Sequence, residues 1–346
     1  MPSKTFLNRI TQVQSLLKSW KTSGCLIEDP LDLFYLTGLQ LSLGMLVILP
    51  SKAELFVDGR YMEFAKKNSP VPVQLLDKAE AFLRSLPSLA FDSHIATVER
   101  AEKLKKLYPG TLTPIPQLLK QLRAIKDAAE LKAMKKSAAV LWKGFEHIRR
   151  SLKIGMTEKE VALAFEIYTR KLGAERLAFD PIIAFGKNSA YPHYRAGNAK
   201  LKKGDVVLVD IGVVVDRYHS DMTRTFFFGK ADPRLVLLDT VVKKAHGAAL
   251  ALCKSGTKVG DLDQAARKVI QAAGLQGLIA HSLGHGIGLE THEFPRIKFQ
   301  GEDHDAVLRE GMVITIEPGL YLPGVGGIRH EDTAQITAKG YNNFYA

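Results

Sequence analysis

The sequence predicts an α+β protein of two domains, the second built from two copies of one helix-then-strand unit. Three observations predict it. Short helical and strand patterns alternate up to about Leu122, a strand-turn-strand stretch carries two aspartates, and that stretch recurs later with the helix before it.

The first domain opens on a helix: Phe6, Ile10, Val13, Leu17 and Trp20 recur at helical spacing, with Ser3 as the N-cap. Asn8, Arg9, Thr11 and Gln12 interrupt any apolar core of a signal peptide. Residues 25–28, 45–49 and 54–57 read as strands, and 62–68 and 79–86 as helices. This layered α/β region holds no glycine-rich phosphate loop and no metal-ligand cluster, so shaping access to the second domain, or dimerisation, is its expected role. Pro114-Ile115-Pro116 reads as a linker, after which 127–150 forms a long helix.

Residues 206–228, VVLVDIGVVVDRYHSDMTRTFFF, begin and end in runs that read as buried strands, reversed at Asp216-Arg217. Asp-Arg is not a favoured type I′ pair, which leaves the turn type open. An even-length loop here puts Asp210 and Asp221 on one face, about 4.5–8 Å apart. Two carboxylates so close either share a proton or hold a cation.

The repeat extends the pattern. LKKGDVVLVDIG from Leu201 matches LREGMVITIEPG from Leu308, so Asp210 corresponds to Glu317. Ser220-Asp221-Met222-Thr223 matches His330-Glu331-Asp332-Thr333, so Asp221 corresponds to Glu331. Upstream, the amphipathic stretches from Ile154 and from Ser255 each begin after a glycine and stop at one, Gly173 and Gly274. Two such halves related by a pseudo-twofold axis would bring four carboxylates together at their interface.

The 346 residues suffice for two cores, and 46% hydrophobic with 24% charged residues is a globular balance with no run long enough to span a membrane. Two distant cysteines, Cys25 and Cys253, exclude a disulfide framework and a zinc-thiolate site and fit a cytoplasmic protein. The net charge of +12 is spread along the chain, which reads as a basic-leaning enzyme rather than a nucleic-acid surface.

His281 to Glu293, HSLGHGIGLETHE, alternates Gly284, Gly286 and Gly288 around His285 and ends on His292 and Glu293; His193 stands in Tyr-Pro-His-Tyr before the first hairpin. With the four carboxylates these suggest the ligand set Asp210, Asp221, His285, Glu317 and Glu331. Its oxygen-rich character suits two divalent cations about 3.5–4 Å apart, Mn²⁺ first, with Co²⁺ or Zn²⁺ also suited. The spacing of a calcium-binding EF-hand loop is absent.

GHGIGLETHE, VITIEPGLYLPGVGGIRHED, VDIGVVVDRYHSDMTRT and NSAYPHY resemble the dinuclear metallopeptidases of the pita-bread (creatinase/aminopeptidase) fold, from residue 127 to the C-terminus. FYLTG from Phe34 and FVDGRY from Phe56 resemble the creatinase/prolidase N-terminal domain, although Leu33 departs from the family's usual lead into this motif. The resemblance implies an N-terminal domain over 1–122 and a catalytic domain over 123–346. It implies that Asp210 chelates one metal, that Asp221 and Glu331 bridge both, and that His285 and Glu317 complete the other position. His193 and His292 would bind the substrate carbonyl or oxyanion, Arg329 and Tyr321 would support the shell beside Glu331, and Glu317 would relay a proton to the leaving nitrogen as a metal-bridged hydroxide attacks.

The implied activity is a cytoplasmic, homodimeric metallo-exopeptidase acting on peptides with proline at the second position. Between its two forms the sequence favours the Xaa-Pro aminopeptidase, because the segment after His292 reads as a short exposed loop and the chain has little material for a closing insertion. Arg296 or Lys298 in that segment could instead cap a dipeptide carboxylate, as an Xaa-Pro dipeptidase (prolidase) requires. A non-catalytic RNA- or protein-binding relative is a third reading. Such relatives usually lose metal ligands, and this chain keeps every one, so no nucleic-acid or membrane partner is expected.

Overall fold

The structure, a computed structural model, describes residues 2–345. The chain folds as two compact units, one up to Arg123 and one from Ala124. None of the described helices is long and apolar enough to cross a membrane.

The first unit contains α1 (Pro2–Leu16), β1 (Cys25–Ile27), α2 (Pro30–Thr37), β2 (Gly44–Ile48), β3 (Ala53–Val57), α3 (Met62–Asn68), β4 (Val73–Leu75), α4 (Ala79–Arg84), β5 (Ser88–Asp92), α5 (Val98–Leu107) and β6 (Thr111–Ile115), with α6 (Lys120–Ala124) at its end. Its strands form one mixed sheet in the order β4-β3-β2-β1-β5-β6. Ile10, Val13 and Leu17 are buried, as their spacing predicts. Two expectations change. The helix starts at Pro2, so Ser3 falls inside α1 instead of capping it. Pro114 and Ile115 belong to β6, paired in parallel with β5, and not to a linker. β6 is an edge strand, where a residue without an N–H is tolerated.

The second unit contains α7 (Ala128–Ser151), α8 (Glu158–Lys171), β7 (Arg176–Leu177), β8 (Ile182–Phe185), β9 (Val206–Ile211), β10 (Val213–Val215), β11 (Tyr218–His219) and β12 (Met222–Phe227). A second series follows: α9 (Pro233–Leu250), α10 (Val259–Ala272), β13 (Gly284–Gly286), β14 (Glu293–Ile297), β15 (Val313–Ile316), β16 (Gly319–Leu322), β17 (Gly326–Arg329), β18 (Asp332–Ile336) and β19 (Tyr341–Asn343). The series repeat down to single hydrogen bonds. Gly155 N donates to Leu201 O at 2.9 Å and Gly256 N to Leu308 O at 2.9 Å, and both glycines have a left-handed φ, 88° and 92°. Each series has its own core: α7 and α8 pack on Val207, Val209 and Ile211, while α9 and α10 pack on Ile314 and Ile316.

Strand alternation then positions the acids. On β9 the odd-numbered residues face the helices, so Asp210 lies on the opposite face with Leu208. The 206–228 hairpin forms in one register, with Val215 opposite Tyr218 and Ile211 opposite Met222, although its strands split between two sheets at Gly212. Asp216 and Arg217 both have positive φ, 49° and 73°, as a type I′ turn requires. The unfavoured pair is tied from outside: Lys136 Nζ sits 2.8 Å from the Asp216 carboxylate, and Arg217 N donates to Glu175 Oε1 at 3.0 Å.

Candidate metal centre

Asp221, Glu317 and Glu331 stand in the gaps between strands, whereas Asp210 lies near the end of β9 and His285 in the middle of β13. Thr223 pairs with Asp210, so Asp221 falls opposite Gly212, diagonal to Asp210 on the same face. In the second half, Ile316 pairs with Asp332 and Gly319 with Arg329, which puts Glu317 directly across from Glu331. His285 lies on β13, wedged between β14 and β15. A Cβ on Gly284 would run into the Thr315 carbonyl and one on Gly286 into the Phe294 carbonyl, so the alternating glycines are what lets this strand approach.

Asp221, His285 and Glu331 are buried and offer donor atoms within 4.8 Å of one another. His285 Nε2 is 3.7 Å from Asp221 Oδ2 and 3.6 Å from Glu317 Oε1. Those gaps are too long for hydrogen bonds, but two donors each about 2.0–2.2 Å from one ion can lie this far apart. His285 Nδ1 faces the Gly286 carbonyl at 3.0 Å and so carries the proton, leaving Nε2 as an open lone pair. Asp210 Oδ1, Asp221 Oδ1 and Glu331 Oε1 are buried with no hydrogen-bond partner. Orphaned, inward-facing carboxylate oxygens beside an open imidazole fit divalent cations.

Electrostatics point the same way. Burial, then the charges of Glu331, Asp210 and Glu317, push the Asp221 carboxyl well above the usual range. Burial, then Glu331, does the same to Glu317. Glu331 is raised to about 8, by burial first and Asp210 next. Burial, then His292, lowers His285 to about 3, so it is neutral and ready to ligate.

A second layer of side chains fixes these groups. Arg329 is buried and donates from Nη2 to Asp210 Oδ2 at 2.5 Å and from Nη1 to the Tyr321 hydroxyl at 2.6 Å. The carboxylate it hydrogen-bonds is Asp210, while its charge also acts on Glu331 nearby. His281, quoted above without a role, continues the chain. Its Nδ1 donates to Ser282 O, so its Nε2 accepts from Tyr321 at 2.7 Å. Thr223 Oγ1 donates to Glu331 Oε2 at 2.8 Å, and the Tyr345 hydroxyl donates to Asp221 O at 2.9 Å.

The outer histidines, His193 and His292, both reach solvent, although part of the His292 ring is buried. The His292 ring lies 4.4 Å from that of His285, and its pKa is lowered by burial and then by His193. Buried Glu158 accepts from Phe185 N, Asn188, the Tyr194 hydroxyl and Gly197 N, and so holds the loop that carries His193. Beside His292, Glu293 is paired with Lys126 at 3.1 Å, the two side chains 5% and 1% exposed. Arg296, expected in a loop, lies on β14 directly across from His285, and the exposed loop begins only after Ile297. Sequence reading missed Glu158, Lys126 and Thr223; only Thr223 left a signal, its repetition as Thr333.

A duplicated α+β fold with buried carboxylates and one imidazole at its inner strand ends defines a metal-dependent hydrolase of the pita-bread class. The model of metallopeptidase family M24 matches residues 132–338, and that of the creatinase/prolidase N-terminal domain matches residues 9–125. An Xaa-Pro dipeptidase of Pyrococcus horikoshii is 36% identical over 91% of this chain and 90% of its own length. The structure of an Xaa-Pro dipeptidase from Bacillus anthracis superposes with a TM-score of 0.94 at 30% identity, covering 98% of this chain and 97% of that one. An X-Pro aminopeptidase structure from Thermotoga maritima gives 0.87 at 30% identity, covering 94% and 96%. The chain belongs to metallopeptidase family M24, in the branch with a creatinase/prolidase N-terminal domain.

Two outcomes follow from the buried charges. The Glu331 carboxyl moves from its ordinary 4.5 to about 8 on folding, so its retained proton adds stability that is complete below 4.5 and lost as pH rises through about 8. Calorimetry of metal-free protein should show Tm falling between about pH 5 and pH 8 and levelling above that, and Mn²⁺ should abolish the fall; a flat metal-free profile would contradict proton retention in the cluster. Separately, Lys126→Met takes the buried cation away from the Glu293 carboxylate, which keeps a hydrogen bond from Glu290 N, and should cost roughly 3–5 kcal/mol in urea unfolding. A loss under about 1 kcal/mol would remove this pair from the forces holding the His292 strand.

Proposed function

We propose that this chain is an Xaa-Pro dipeptidase whose metal ligands are Asp210, Asp221, His285, Glu317 and Glu331. The observation that carries the metal assignment is the set of orphaned buried oxygens facing the open lone pair of His285. The choice of dipeptidase over the aminopeptidase favoured by sequence rests on the names of the relatives and on Arg296. In strand β14 across from His285, Arg296 is an exposed cation one strand away from the proposed metal ligands, suited to receive the free carboxylate of a dipeptide. The compactness argument for an aminopeptidase loses its force, because a charged side chain on a strand needs no closing insertion. The aminopeptidase reading keeps one support, the close likeness to the Thermotoga maritima structure.

Bound divalent cations would supply water activation near neutral pH and polarise the scissile carbonyl; Mn²⁺ is the first choice for this oxygen-rich set. The side chains do the rest. Neutral His292 donates to the carbonyl oxygen as it gains charge, and His193 lies on the loop that Glu158 anchors. Glu317, ionised once cations take the place of its proton, would accept the proton that the attacking water gives up and pass it to the departing proline nitrogen. Arg329 keeps the Asp210 carboxylate turned so that one oxygen is committed and the other is free.

The deciding experiment compares kcat/KM for Xaa-Pro, Xaa-Pro-Pro and a longer series at fixed Mn²⁺, with a chelated control. Activity confined to dipeptides and lost on chelation is expected; preference for the longer peptides would restore the aminopeptidase. Arg296→Met should raise KM for Xaa-Pro by roughly 10–100-fold with little change in kcat, the worth of one hydrogen bond to a charged group. His292→Ala should instead keep its metals and lose about 10²–10³ in kcat. Metal loss in that variant would make His292 a ligand.

A further inference from the structure

The two carboxylates proposed to bridge the metal pair, Asp221 and Glu331, belong to different halves of the duplication. Each precedes the first residue of a strand, β12 or β18. Their spacing depends on how those two strands are joined. The join is made by the backbone and by a few side chains: Glu331 N donates to Thr223 O at 3.1 Å, and Thr333 Oγ1 donates to Asp221 O at 3.0 Å. One cation reaches across. Arg224 Nη1 donates to Thr223 O at 3.1 Å and to Glu331 O at 2.5 Å, while Nη2 donates to Asp332 Oδ1 at 2.6 Å. Asp332 is itself fixed through its other oxygen by Asn343 Nδ2 at 2.9 Å. The guanidinium is flanked by Trp142 and Tyr345, at 5.7 and 5.9 Å from their ring centres. By the repeat, the counterpart of Arg224 is Ala334, so the second half has no such group to return the contact.

We propose that Arg224 is a positioning residue that sets the separation of Asp221 and Glu331, and thereby the capacity of the centre for a second metal ion. This rests on the metal-centre reading above. A single ion can be gripped by His285 with one or two carboxylates even if the strands drift. A pair of ions needs both bridging carboxylates at one spacing. Arg224 touches neither carboxylate; from β12 it grips the Glu331 carbonyl and the Asp332 carboxylate of the other half, together with the carbonyl of its own neighbour Thr223. That three-point grip uses the planar fork of arginine, which an ammonium cannot reproduce.

The test is Mn²⁺ titration of the metal-free full-length chain, followed by calorimetry and by the electron paramagnetic resonance signal of spin-coupled Mn²⁺. The wild type should bind two ions and show the coupled signal. Arg224→Met should weaken the second ion by ~10–100-fold, the usual effect of removing a partner just outside the ligands, leave the first nearly unchanged, and lose the coupled signal. Arg224→Lys, which keeps the charge beside Asp332, should fall between the two, and it decides the matter if the methionine variant does not fold. Wild-type affinity for both ions in a folded variant overturns the proposal, as does equal weakening of both ions in step with Tm, which is general loosening. A wild-type chain that takes up fewer than two ions overturns the metal-pair reading itself, and Arg224 then has no pair to space.

Discussion

Buried like charge is the constraint on which the catalytic unit depends. Asp221, Glu317 and Glu331 come from two halves of the chain and are all driven to resist ionisation by burial and by one another. Folding the halves together without a cation means keeping protons on these groups, and binding divalent cations means releasing them. The fold accepts this because each acid stands where a strand ends or breaks. There the backbone N–H and C=O groups already have partners across the halves, such as Glu331 N on Thr223 O. The same ladder that buries the carboxylates fixes where they point.

The surrounding polar groups keep that burial from becoming general strain. Arg329 neutralises one acid of the four, Asp210, and its remaining donors go to Tyr321, Thr223 and the Pro192 carbonyl. Tyr321, pushed up to about 12 by burial, remains a hydroxyl that accepts from Arg329 and donates to His281. A fully satisfied chain of this kind holds its members in one arrangement, and the orphaned oxygens then stand out as the groups left for a ligand.

Much of this was legible in the sequence, for physical reasons that differ by residue. The continuous apolar run of VVLVDIG marked a buried strand, the even-length reversal after it put Asp210 and Asp221 on one face, and the match to VITIEPG carried the same placement over to Glu317. Repetition supplied the pairing of halves, and the alternating glycines marked His285. What depends on contacts between distant segments was not legible. Arg329 was expected only in the shell beside Glu331, because a sequence does not reveal that its guanidinium reaches Asp210, 119 residues away. The 293–297 segment reads as a loop by composition, and its pairing with β13 makes it a strand. The Asp216-Arg217 turn adopts a backbone its residues disfavour because Lys136 and Glu175, far off in sequence, hold it there.

The places where the duplication fails are where the proposed function is concentrated. Ile314 pairs with Gly286 as Val207 pairs with Phe185, so the counterpart of His285 is Ala184. One half thus offers an imidazole and the other a buried methyl group. In the proposed centre this makes the two cation positions unequal, one with nitrogen and oxygen donors and one with oxygen alone, and the oxygen-only position is the weaker in its choice of metal. Arg224 and its counterpart Ala334 break the symmetry again, on the shared edge of the two positions. β14 breaks it a third time, placing Arg296 across from His285, with His292 just before the strand and its ring 4.4 Å from that of His285. A symmetric pair of halves would bind two ions alike and present the same face to either end of a peptide. Substrate direction therefore has to come from these unduplicated residues, all of which lie within reach of one strand, β13, or of the bridging acids.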